Sequence, residues 1–364
     1  MGNEHSQAYR RVSETWPDAD FEPVLIHVVD NVPSVAETTA RRWRYARWST
    51  DWRSVIDDPE VEVVDITGPN GLHREVALAA AAAGKHVGCE KPLGRSAAEA
   101  AEIAAAVAGA GLQSNCNFQY RHNPAVQYVR QLVSGGNLGE ITHVRAVFLT
   151  DYGWSPEGPF AWRFDAQTAG WGALGDIGSH TIDLLELLAG PVHEVVGSTA
   201  SFVAEREHQP VTNEDYASAV LRFVSGALGT FEVSRASAGP KDAFRVAGHG
   251  TRGAFEWDSE RMNELQVFEM SGDEAADGYR RLVMGPSHPW YGRFCPGAGS
   301  GLAWHDMTVI SMYLFLRGIA GGEPTETDFQ RASQVAAVLS AIQSSHTTRA
   351  WTTVGTSTVS TRTM

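Results

Sequence analysis

Apolar residues recur along this chain in two rhythms. Over the first 118 positions, short apolar runs alternate with helical periodicity. Residues 24–30, 61–67, 86–89 and 113–117 read as buried strands. Residues 4–12, 33–43, 48–57, 73–83 and 96–110 read as helices, the last opened by a capping box of Ser96 and Glu99. Strand–helix alternation with short links predicts a parallel sheet covered on both faces. Ligands of such sheets sit beyond the carboxyl ends of the strands. Asp30, Thr67, Pro69, Glu90, Lys91, Pro92 and Asn117 all fall there.

After Asn117 the rhythm changes to period two. Following a helix over 123–134, the runs 141–152, 194–204, 217–223, 227–235, 243–247 and 253–257 predict a large, mainly antiparallel sheet. Helices are expected over 307–320 and 329–345, and the Ser/Thr-rich tail 352–364 as partly loose. The fold class is therefore α/β in two domains, 1–118 and 119–364.

The glycine-rich run from Gly172 to Asp183 leads into an apolar helix and carries Asp176 and His180 four residues apart. On one helix these share a face, where a carboxylate can orient an imidazole for proton transfer. The same spacing also fits a helix cap and a satisfied, half-buried ring. Asp plus Glu outnumber Lys plus Arg by 43 to 29, a net charge of −14, which argues against nucleic acid or an anionic membrane as partner. The three cysteines, Cys89, Cys116 and Cys295, have no disulfide or zinc spacing and suit a reduced, cytoplasmic setting. His305 with Asp176 and His180 lacks a diagnostic metal spacing, so no metal is expected.

These motifs together resemble the Gfo/Idh/MocA oxidoreductases, the family of glucose–fructose oxidoreductase and inositol dehydrogenase. The resemblance runs over almost the whole chain: Pro69-Asn70 to His73, Gly84-Lys85-His86-Val87, Glu90-Lys91-Pro92, Tyr120 to Pro124, Gly139-Glu140-Ile141, Trp162-Arg163-Phe164, Asp176/His180 and Phe315 to Ala320. It implies a Rossmann domain binding NAD and a C-terminal domain whose open sheet packs against other copies, as a homodimer or homotetramer. A Rossmann domain should open with a strand and G-x-G-x-x-G. Here Met1-Gly2 would be the end of that loop, with Gly2 its third glycine. Either strand one and its first two glycines lie upstream of Met1, or the domain has rearranged its sheet.

The resemblance makes Lys91 a catalytic lysine that stabilises a developing alkoxide. His180 becomes the proton-transfer group, and Asp176 orients the substrate and the ring. Gly2, Thr67, Pro69, Asn70, His73, Glu90 and Asn117 join Lys91 in the cofactor set. Asp30, at a strand end, would accept from the adenosine ribose hydroxyls and repel a 2′-phosphate, favouring NAD over NADP. Tyr120, Arg163, Asp165 and His305 are candidate substrate contacts, and Arg121 is either a packing ion pair, the favoured reading, or a further substrate contact. Pro92 shapes its turn, with a cis bond as one means. The expected activity is hydride transfer between NAD and a secondary alcohol of a cyclic polyol or sugar, such as an inositol, an aldose or an anhydrosugar. Two rivals are an NAD-dependent glycosidase working through transient oxidation and elimination, and a non-catalytic ligand sensor.

Overall fold

The computed structural model describes residues 1–355. The chain divides into two compact units. Met1–Gly94, Ala98–Gln119 and Ala303–Ser333 form the first; Arg95–Ala97, Tyr120–Leu302 and the chain from Gln334 form the second. The segment beginning at Ala303 thus belongs with residues 1–94 and 98–119.

The elements of the first unit begin with α1 (Gly2–Thr15), β1 (His27–Val29), α2 (Pro33–Trp43), β2 (Arg47–Ser49) and α3 (Arg53–Ile56). They continue with β3 (Val63–Ile66), α4 (Asn70–Ala82), β4 (His86–Cys89), α5 (Ala97–Gly109) and β5 (Ser114–Cys116). All their strand pairs are parallel. The helix expected over 48–57 is instead β2 and the single turn α3, since Arg47 to Ser49 pair with His27 to Val29. The strands form two sheets rather than one: β1–β2, and β3–β4–β5. Helix α1 reaches both groups. Its Ser6 hydroxyl bonds the Tyr45 hydroxyl at 2.9 Å, just ahead of β2, and its His5 bonds Asp65 of β3 at 2.7 Å.

The second unit contains α6 (Pro124–Ser134), β6 (Ile141–Thr150), the short helices α7 (Ala166–Ala169) and α8 (Ala173–Asp176), and α9 (Gly178–Ala189). The strands β7 (Val192–Ala200), β8 (Glu205–Arg206), β9 (Gln209–Pro210), β10 (Tyr216–Phe223), β11 (Leu228–Ser234), β12 (Asp242–Gly250), β13 (Gly253–Asp258), β14 (Glu264–Glu269) and β15 (Arg280–Val283) follow. Next come α10 (Tyr291–Phe294), α11 (Trp304–Gly321) of the first unit, α12 (Phe329–Thr348) and β16 (Thr352–Thr353). Nine strands make one sheet in the order β15-β14-β13-β12-β6-β11-β10-β7-β16. It is antiparallel except between β6 and β11. The start of the Ser/Thr-rich tail is thus a sheet edge, β16 on β7; the rest of that tail, from residue 356, lies outside the described residues.

Period-two patterning explains the sheet's two faces. Val144, Ala146 and Phe148 of β6 and Phe231 and Val233 of β11 are buried, while Arg145 and Thr230 are exposed. Phe148 stacks on Phe244 of β12, their rings 4.5 Å apart, and Tyr120 and Trp257 meet them edge-on. Each such fully buried ring stabilises the fold by about 1.5–3 kcal/mol. Helix α11 is anchored inside the first unit by Tyr313, which stacks on Trp16 with ring centroids 4.0 Å apart, and by Asp306, which pairs with Arg11 at 2.6 Å.

Candidate active site

The polar residues singled out from the sequence form two groups, one in each unit. The first sits at the carboxyl ends of β3, β4 and β5. Glu90 follows β4 and is buried. Its Oε1 accepts from His5 Nε2 at 2.8 Å and from Asn117 Nδ2 at 2.9 Å, and its Oε2 from the Lys91 backbone N–H at 3.2 Å. The Lys91–Pro92 bond is cis. His5 donates its other nitrogen, Nδ1, to Asp65 Oδ2 at 2.7 Å. Burial alone would raise the Glu90 pKa, but the bond and charge of His5, then Lys91 and Asn117, bring it to about 2. Asn117 is fully buried and its Oδ1 has no partner, so an acceptor is held ready for a ligand donor.

Around this group the cofactor candidates separate. Gly2 begins α1, and a Cβ there would lie 3.2 Å from Thr67 Oγ1, so glycine eases the approach of this helix's first turn to the end of β3. A helix start with free N–H groups is suited to a pyrophosphate. Pro69 precedes α4 and Asn70 opens it, while Asp30 follows β1 and accepts from Val32 N–H at 2.9 Å. His73 follows in the first turn of α4. It is fully buried, with Nδ1 3.0 Å from the Pro92 carbonyl oxygen and Nε2 3.1 Å from that of Gly68. Burial lowers its pKa, and the neutral ring can donate to only one of these two carbonyls. These residues fit NAD: a glycine-tight helix start, a strand-end acid and an orphan buried amide oxygen.

The second group surrounds α8 and α9. The expected turn-then-helix is two helices broken at Ile177, so Asp176 ends α8 and His180 lies in the first turn of α9. The start of α8 is fixed by Glu214, whose carbonyl accepts from Ala173 N–H and whose carboxylate accepts from Leu174 N–H, both at 2.9 Å. A Cβ on Gly172 would come within 2.0 Å of the Glu214 carbonyl oxygen, so this approach requires glycine. Asp176 accepts from the Tyr152 hydroxyl at 2.7 Å, and Arg163 Nε lies 3.9 Å from the same carboxylate oxygen. Burial of the hydroxyl and the Asp176 charge push the Tyr152 phenol well above its usual range, so it stays a donor.

Three substrate candidates have partners within the chain. Tyr120 is buried, donates to Asp242 at 2.8 Å, and meets the His180 ring edge-on at 5.1 Å, so it frames the imidazole. Asp165 caps α7, accepting from Gln167 N–H at 3.0 Å and from the Thr168 N–H at 3.1 Å and hydroxyl at 2.6 Å. His305 opens α11 and pairs with Glu4 of α1. Arg121 is the packing residue expected, with two 2.9 Å bonds to buried Asp183 on α9. Arg163 keeps its place because Arg235 Nη1 and Asn213 Nδ2 hold its carbonyl, at 2.9 and 3.1 Å. Arg235 and Arg206 both lie over the Phe164 ring, at 4.6 and 4.3 Å. No metal-holding group of His, Cys, Asp or Glu occurs among the described residues.

Sequence reasoning passed over His5, Asp65 and Tyr152. Asp65 carried a signal, an acid in the middle of an apolar strand, and His5 stands three residues after the glycine that tightens α1. Tyr152 sat at the end of an expected strand with nothing to mark it.

Comparison with known proteins places this geometry. The NAD-binding Rossmann-fold model of an oxidoreductase family matches residues 1–118, and the GFO/IDH/MocA C-terminal domain model matches residues 126–256. Levoglucosan dehydrogenase of Pseudarthrobacter phenanthrenivorans is 34% identical over 372 aligned positions, covering 97% of this chain and 95% of that protein. A levoglucosan dehydrogenase structure in complex with NADH and levoglucosan superposes with a TM-score of 0.96 at 35% identity, covering 98% and 97% of the two chains. Myo-inositol 2-dehydrogenase of Thermotoga maritima is 27% identical over 62% of this chain and 65% of its own length.

Proposed function

The chain belongs to the GFO/IDH/MocA oxidoreductases, and from that premise we propose that it oxidises a secondary alcohol of a cyclic sugar with NAD, an anhydrohexose such as levoglucosan being the first substrate to try. One observation supports this most: the end-to-end similarity to a levoglucosan dehydrogenase. Bound NAD supplies the hydride acceptor. The chain's residues supply the rest. Lys91 stabilises the oxygen as its proton leaves, and His180 takes that proton. Asp176, held by Tyr152, orients the sugar hydroxyls, with Arg163 beside it. Asn117, Gly2, Thr67, Pro69, Asn70, Asp30 and Glu90 hold or shape the cofactor side.

The partner is a small sugar or polyol, joined by further copies of this chain. The face of the nine-stranded sheet bearing Arg145, Val196, Val220 and Thr230 in one cross-strand row is the surface for a homodimer or homotetramer. No helix among the described residues is long and apolar enough to cross a membrane. The thiols of Cys89 and Cys116, both buried and outside any disulfide, suit the cytoplasm. The test is a panel of anhydrosugars, aldoses and inositols assayed for NAD reduction. Net NADH with one of them supports the reading and excludes transient oxidation as the sole chemistry; no NADH with any of them overturns it.

A further inference from the structure

The polar group at the end of β4 contains an imidazole that the mechanism above leaves unused. His5 is 2% exposed and sits in α1 between two carboxylates from different strand ends. Its Nδ1 is 2.7 Å from Asp65 Oδ2 and its Nε2 is 2.8 Å from Glu90 Oε1. An ionised carboxylate can only accept, so both ring nitrogens must carry protons. Asn117 Nδ2, 3.2 Å from the same Nε2, therefore donates to Glu90 and not to the ring. We propose that His5 is a positioning residue, an imidazolium that clamps Glu90 against Asp65 and thereby fixes the Glu90-Lys91-Pro92 turn from which Lys91 acts.

The geometry gives the clamp its reason. Glu90 Oε2 holds the backbone N–H of Lys91, so any rotation of the Glu90 carboxylate moves the anchor of that turn. His5 and Asn117 hold the other oxygen. Two buried anions with no cation between them would repel, and one would take up a proton and lose its acceptor role. The titratable groups that act on the ring are Asp65 on β3 and Glu90 after β4, both bonded to it; Tyr9 on α1 and Tyr45 ahead of β2 lie near Asp65, Cys89 at the end of β4 near both carboxylates, and Lys91 near Glu90. Burial alone lowers the imidazole pKa, but the charge and bond of Asp65 and then those of Glu90 raise it to about 10. The neighbouring Tyr9, Tyr45 and Cys89 are held protonated, first by burial. His5 is thus the cation that balances the cluster.

The part of this proposal that concerns Lys91 rests on the dehydrogenase reading; the charge state of His5 does not. The experiment therefore has two arms on the intact protein with NAD. In the first, nitrogen-15 NMR of histidine-labelled protein at pH 8.5 should show one imidazole protonated on both nitrogens, a signal missing from His5→Gln. Neutral rings throughout would overturn the clamp, whatever the enzyme oxidises. In the second, His5→Gln should lose at least about tenfold in kcat, about 1.4 kcal/mol of barrier, with a smaller change in KM for the sugar. Its kcat–pH profile should gain an acid-side ionisation as Glu90 begins to titrate. Unchanged kcat and profile would overturn the positioning role. Should His5→Gln fail to fold, Asp65→Asn keeps the ring, and its doubly protonated signal should then be lost at lower pH than in the parent protein. An unmoved titration counts against the clamp. A parent protein that oxidises no sugar overturns the functional reading alone.

Discussion

Glu90 and Asp176 are both carboxylates at element ends, yet their surroundings are built differently. Glu90 is buried, and each of its oxygens accepts from the chain: a cation, an amide and a backbone N–H. Asp176 keeps 22% of its side chain exposed; a phenol donates to one oxygen, and Arg163 stands 3.9 Å from the same atom. The first arrangement freezes charge, since neither His5 nor Glu90 changes ionisation near neutrality. The second leaves a carboxylate within reach of solvent and of a ligand's hydroxyls. A hydride transfer needs both: a cofactor side that does not reorganise, and a substrate side where a proton can move.

Substitutions can break that contrast. The largest effect is expected at His180: His180→Ala should lower kcat by about 10²–10⁴-fold, the usual worth of a positioned acid–base group, with NAD affinity retained in a fluorescence titration. Equal loss of NAD binding would place the ring on the wrong side of the comparison. Next is the brace under Arg163. Arg235 and Asp215 are both fully buried, 2.8 Å apart, so Arg235→Met should cost about 3–5 kcal/mol in urea unfolding by stranding the aspartate.

The frozen side predicts a stability profile. His5 has a folded pKa raised to about 10 from 6.5, so its contribution is complete below 6.5 and is lost as pH rises through about 10. Glu90 has one depressed to about 2 from 4.5, so its contribution is complete above 4.5 and is lost as pH falls through about 2. Unfolding free energies across pH should show this cluster's share greatest between about 4.5 and 6.5 and declining toward pH 10, with Asp65→Asn flattening the basic side. On the other side, Tyr152→Phe should reduce kcat/KM by about tenfold by removing a donor to Asp176. The smallest effect is at Asp165: Asp165→Ala removes a cap, costing about 1 kcal/mol of stability, with KM for the sugar unchanged.

What the sequence made legible follows from what each residue depends on. The parallel strands were visible because Val63-Val64 and His86-Val87 lie in apolar runs closed by glycine or proline, a local signal. β2 was not, because Arg47-Trp48-Ser49 has no apolar run and becomes a strand only by pairing with His27 to Val29. β15 was missed for the same reason, being a sheet edge with exposed arginines. In the site, Lys91, Asp176 and His180 were marked by motif spacing. Nothing local to Tyr120, His73 and Asp165 reveals that Asp242, two carbonyls and a helix start meet their polar atoms. His5 and Asp65 stand 60 residues apart, and only the fold brings them together.

The return of Ala303–Ser333 to the first unit has a consequence for how the protein is made. A ribosome that has passed Gln119 has synthesised every strand of the first unit, but not helix α11, whose Tyr313 covers Trp16 and whose Asp306 holds Arg11. About 180 further residues must be added first, on the order of 10–40 s at about 5–20 residues per second. Through that interval the first unit waits with Trp16 uncovered, while the second unit already has most of its strands. The cofactor-binding unit, begun first, is therefore completed only at Ser333, when the second unit lacks nothing but its segment from Gln334.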